Sequence, residues 1–124
     1  MTKWNKNTNY VRKWYGKILH IFEPVFRVNI YWIKAKTEKE YKSIYEKQFN
    51  LPYTGNLKDG KMCVLEQNGT PVIVLWANDE VNISHECLHA TFWILKEHGV
   101  ILSEESEEIF CYLQGFLLRA ILNK

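Results

Sequence analysis

With 124 residues, 47% of them apolar and 15% aromatic, the chain has the material for one compact domain over residues 1–124, and this composition excludes a disordered chain. The longest apolar run, Val72 to Ala77, is too short to span a bilayer and no signal-peptide pattern occurs, so a soluble, cytoplasmic protein without membrane contact is expected. The net charge of +2 is unevenly divided: residues 1–61 hold 13 Lys and Arg against 5 Asp and Glu, and residues 62–124 hold 3 against 9. A basic half can bind nucleic acid. Solvated lysines over the outer faces of the early elements explain it as well, and with no recognisable nucleic-acid motif such a partner is not expected.

Residues 10–22 place Val11, Trp14, Tyr15, Ile18, Leu19 and Phe22 at helical spacing, with Lys13, Gly16, Lys17 and His20 opposite. This predicts an amphipathic helix, capped by Asn7, Thr8 or Asn9 and stopped before Pro24, with His20 solvated. From Val25 to Ala35 the period becomes two, which predicts a strand with Phe26, Val28, Ile30 and Trp32 on one face. Thr37 and Glu40 have the spacing of a capping box, and Tyr41, Ile44, Tyr45 and Phe49 continue a second helix. Residues 50–60, with Pro52, Gly55, Asn56 and Asp59-Gly60, read as a loop.

Met62 to Gln67 and Thr70 to Ala77 flank Asn68-Gly69, the favoured pair of a two-residue hairpin turn. The second strand, Val72 to Trp76, is apolar throughout, so both faces should be covered. A helix from about Val81 or Ile83 to His98 follows, closed by Gly99, with Leu88, Phe92 and Leu95 as its buried stripe and His98 near the end in a capping role. The last helix should start at Ser103, with acidic residues at its head and Ile109, Tyr112, Leu113, Phe116, Leu117, Ala120 and Ile121 as its apolar face. Cys63, Cys87 and Cys111 make neither a disulfide framework nor a zinc knuckle and read as buried thiols. The whole predicts an α+β domain: a three-stranded, mainly antiparallel sheet with about four helices.

The segment His85-Glu86-Cys87-Leu88-His89 carries the chemistry. Residues i and i+4 share a helix face, so both imidazoles can converge on one metal ion, for which zinc is the natural occupant, and Glu86 would be the general base that takes a proton from water. A third ligand should come from the acidic head of the last helix, where Glu105 and Glu108 both border the apolar face.

A strand, a short loop, a helix with His85-Glu86-Cys87-Leu88-His89-Ala90 and a second helix with Glu108-Ile109-Phe110-Cys111-Tyr112-Leu113 resemble the gluzincin-type zincin metallopeptidases. They resemble more closely short zincin-like proteins encoded by bacteriophages and related mobile elements, over residues 71–122. The resemblance implies His85, His89 and Glu108 as zinc ligands, Glu86 as catalytic base, and a peptide or protein substrate lying along a sheet edge, for which Val72 to Trp76 is the candidate. Tyr112 would line the site or pack in the core. The alternative is a non-catalytic zinc-containing protein of a phage or mobile element that binds a host protein.

Overall fold

A computed structural model describes residues 11–53 and 59–123. The elements are β1 (Val11–Tyr15), β2 (Ile18–Glu23), β3 (Val28–Ile33), α1 (Glu38–Phe49), β4 (Gly60–Gln67), β5 (Thr70–Ala77), α2 (Glu80–Glu97) and α3 (Glu107–Leu122). The fold is α+β, but the expected sheet and helix count are both corrected. There are five strands in the order β1-β2-β3-β5-β4, and three helices among the described residues.

The largest correction is at residues 10–22, where a hairpin replaces the expected helix. Tyr15 pairs with Ile18, and Gly16-Lys17 turns the chain, with Gly16 at φ 60°, the glycine-first pattern of a tight hairpin turn. A glycine inside a helix costs about 1 kcal/mol, and the Val, Trp, Tyr, Ile and Phe around it favour a pleated strand. The apolar positions therefore fit both periods, and the turn selects strand. His20 is buried, with Nε2 2.7 Å from Asn29 Oδ1 and its ring stacked on Tyr31, so it is not solvated as expected. Asn7, Thr8 and Asn9 lie outside the described residues.

Strand β3 keeps the expected faces. Val28, Ile30 and Trp32 join Leu19, Ile21, Ile73 and Leu75 in the core beneath α2 and α3, while Ile33 joins Ile18, Val74 and Trp76 beneath Tyr41 and Tyr45 of α1. The sheet is thus covered on both faces. Thr37 caps α1, accepting a bond from the Glu40 amide, and Glu40 reaches back to the Lys36 amide.

The hairpin β4–β5 forms as expected around Asn68 at φ 52° and Gly69 at φ 80°. Its second strand is not an edge. β5 pairs parallel with β3 on one side and antiparallel with β4 on the other, and β4 is the edge. A strand apolar on both faces suits this interior place.

Helix α2 is capped by the Asp79 side chain, which accepts from the Asn82 amide, and ends at His98, whose Nδ1 lies 2.8 Å from the Ile94 carbonyl oxygen. Gly99 follows at φ 73°. The buried stripe differs from expectation: Ile83, Cys87, Ala90, Ile94 and Leu95 face the sheet, whereas Leu88 and Phe92 are 44% and 45% exposed. Small Cys87 and Ala90 let the helix sit close to the strands, which turns the bulkier Leu88 and Phe92 outward. Helix α3 starts later than expected, with Ser106 and not Ser103 as its N-cap residue. Ser106 Oγ is engaged with the Ser103 amide and the Ile101 carbonyl, which closes the turn between α2 and α3. Among the described residues, no helix is long and apolar enough to cross a membrane.

Candidate functional site

The segment 85–89 lies in the first half of α2, on the turns that carry the helix over the end of the β4–β5 hairpin. Burial of Ile83, Cys87 and Ala90 fixes the rotation of the helix and leaves His85 and His89 exposed together on its outer face. Their Nε2 atoms are 3.1 Å apart and their rings meet edge to face. Two nitrogens at about 2.05 Å from a tetrahedral zinc lie about 3.3 Å apart, so the pair has the spacing of two ligands to one ion. With a single proton between them the same spacing serves as a hydrogen bond, one ring donating and the other accepting.

Glu86 points the other way, toward the sheet. It is 9% exposed, and its Oε2 lies 4.0 Å from His85 Nε2. Gly60, the first residue of β4, packs against its side chain. A Cβ at that position would meet the Trp76 carbonyl oxygen at 2.9 Å and Glu86 Cγ at 3.0 Å, so only a glycine lets the strand end close over the carboxylate. Gly60 is the part of this site that sequence reading missed. The Asp59-Gly60 pair reads as a turn, and nothing local links it to Glu86.

Cys87 lies inside the core, and burial, with the neighbouring Glu86 carboxylate as a second cause, pushes its thiol up to about 12. It stays protonated at neutral pH and packs as a small apolar side chain rather than as a thiolate ligand. Cys63 is half-buried and Cys111 is exposed, so the expectation of three buried thiols is met fully only by Cys87.

The third expected ligand is elsewhere. Glu108 lines a surface hollow with Val25, Phe26, Ile109 and Tyr112. The side of α3 that meets α2 is the one carrying Phe110, whose ring contacts Phe92, and Gln114, which bonds Thr91 and the Ser84 carbonyl. Tyr112, one turn beyond Glu108, faces the β2–β3 turn and donates its hydroxyl to Glu23. Glu105 is exposed in the turn before α3. Among the described residues, no three His, Cys, Asp or Glu side chains come together as a metal-holding group. The structure therefore gathers His85, His89 and Glu86, and leaves Glu108 and Glu105 outside.

The arrangement offers two converging imidazoles, a sheltered carboxylate beside one of them, and, nearby, β4, an edge strand of the sheet among the described residues. Compared with protein-family models, with curated proteins and with solved structures, the chain matches none.

Proposed function

We propose that the protein is a zinc-dependent hydrolase acting on peptide bonds at the His85–His89 pair. The observation that carries the reading is the 3.1 Å separation of the two Nε2 atoms on an exposed helix face. Zinc held there would supply a Lewis acid and a source of hydroxide near neutral pH. His85 and His89 would hold the ion through neutral imidazole nitrogens. Glu86 acts as general base and then returns the proton to the leaving amine. Its partial burial against Gly60 keeps the carboxylate in one place for both transfers. An extended peptide is held by pairing its backbone with the open edge of β4, which gives affinity without reading side chains.

Glu108 supplies the third ligand in the family resemblance, and this structure supports the two-histidine part of that ligand set only. Water or substrate would complete the coordination of an ion held there.

Metal content of the protein purified without added metal, compared with that of His89→Ala, tests the metal reading. Stoichiometric zinc lost in the variant is expected, and equal metal in both overturns it. Catalysis is tested separately by Glu86→Gln, which should keep the zinc and lose hydrolysis of an unstructured protein substrate.

The second reading, capture of a protein partner without turnover, is favoured by exposed Leu88 and Phe92 on the same side of α2 as the histidines. Binding that is undiminished in Glu86→Gln, together with no cleavage by the parent protein, would select it.

A further inference from the structure

A second crevice, of about 610 Å³, is lined by none of His85, Glu86 and His89, although Ile83, two residues before His85, forms part of its wall. It opens at the carboxyl ends of the parallel pair β3 and β5. After β3 the chain passes to α1 on one face of the sheet, and after β5 it passes to α2 on the other face. Connections that part to opposite faces leave a gap between the strand ends, the usual place for a ligand in open sheets with parallel strands.

The lining is aromatic and basic. Trp14 and Trp32 stand in one row across the sheet, Trp14 opposite Leu19 and Leu19 opposite Trp32, so the two indoles share a face two strands apart, about 9.6 Å between backbones. Trp14 is 40% exposed, with the Arg12 guanidinium over its ring 5.9 Å from the centroid, and Trp32 is 7% exposed, which gives one accessible ring beside a cation and one fixed ring. Lys17, Lys34 and Lys36 surround them, with Glu40 as the acidic member. Lys17 is paired with Glu40, and Lys34 has no carboxylate within ion-pair distance among the described residues. Cations in excess beside an exposed indole suit a ligand that is both flat and negatively charged, and the volume is that of a small-molecule site.

We infer that this crevice binds a nucleotide, its base stacked on Trp14 and its phosphate held by Lys34 and Lys36. The size of the gap and its closure by Ile83 and Asn78 of the α2 entry favour one nucleotide over a strand of nucleic acid, which needs an open track.

The test is titration of the full chain with adenosine 5′-monophosphate, followed by tryptophan fluorescence and calorimetry, beside adenosine and ribose 5-phosphate. The monophosphate should bind at least about tenfold more tightly than either fragment, since stacking alone contributes about tenfold. Trp14→Ala and, independently, Lys34→Glu should each weaken binding about tenfold while leaving the far-UV circular dichroism unchanged. Three results would overturn the inference: no binding of the monophosphate at millimolar concentration, equal binding of ribose 5-phosphate, or binding indifferent to both substitutions. An affinity that grows with the length of a single-stranded oligonucleotide and falls steeply with salt would also overturn it, by assigning the surface to a polymer.

Discussion

Tyr112 donates its hydroxyl to Glu23 Oε2 at 2.6 Å across 89 positions of the chain. Glu23 is fully buried and also accepts from the amides of Val25 and Phe26, so one carboxylate both shapes the β2–β3 turn and fixes the rotation of α3. The phenol is held neutral, since burial and then the bond to Glu23 push it well above the usual tyrosine range. Tyr112→Phe removes a hydrogen bond to the buried Glu23 side chain, worth about 1–3 kcal/mol. Urea denaturation should show a loss of that size with the native circular dichroism retained.

The same rotation bears on the proposed ligand set. Because Tyr112 and Glu108 share a side of α3 turned toward Val25 and Phe26, Glu108→Ala should leave zinc content unchanged, whereas His85→Ala and His89→Ala should each abolish it. Metal analysis of the three variants distinguishes this from the ligand set of the zincin resemblance, in which all three lose metal.

At Gly60 the prediction is steric. Adding one methyl group forces the Trp76 carbonyl and Glu86 apart, and overpacking of this kind costs about 1–3 kcal/mol. Gly60→Ala should lower the unfolding midpoint and, by displacing Glu86, reduce hydrolysis more than zinc binding. An unchanged midpoint would show that strand β4 does not close over the carboxylate.

The tyrosines predict an alkaline limit. Burial is the first cause raising Tyr41, Tyr45, Tyr53 and Tyr112 above the usual 10.0, with Tyr45 and Tyr53 reaching about 12. Below pH 10 both the folded and unfolded chains keep these protons and stability is at its full value. Above it the unfolded chain releases protons that the folded chain retains, so stability falls as pH rises from about 10 toward the folded values. Phenolate absorbance should therefore appear for only part of the seven tyrosines before unfolding, and for the remainder together with loss of tertiary circular dichroism.

Local chemistry made some of this legible in the sequence. Asn68-Gly69 specifies a hairpin, Thr37 with Glu40 specifies a helix start, and two histidines four apart specify a shared helix face. The first hairpin was not legible, because Val11, Trp14, Tyr15, Ile18 and Leu19 satisfy a helical period as well as a strand one, and Gly16 decides between them. Leu88 and Phe92 misled for a related reason: bulk suggested burial, while Cys87 and Ala90, being small, took the contact with the sheet. The fate of Glu108 depends on Tyr112 meeting Glu23, and the place of β5 depends on β3; neither relationship leaves a trace in the local pattern.

The β3–β5 seam has a further consequence for how the chain assembles. The hairpins close over two residues, or four between β2 and β3, but the seam joins Asn29 to Val72 and Trp32 to Leu75, so it must wait for a long loop to close. It also joins the basic first half of the sequence to the acidic second half. Segments of opposite charge attract over distances comparable to the screening length, about 10 Å at 0.1 M salt. A contribution of this attraction to closing the seam predicts that raising the ionic strength slows refolding while leaving the hairpins themselves untouched.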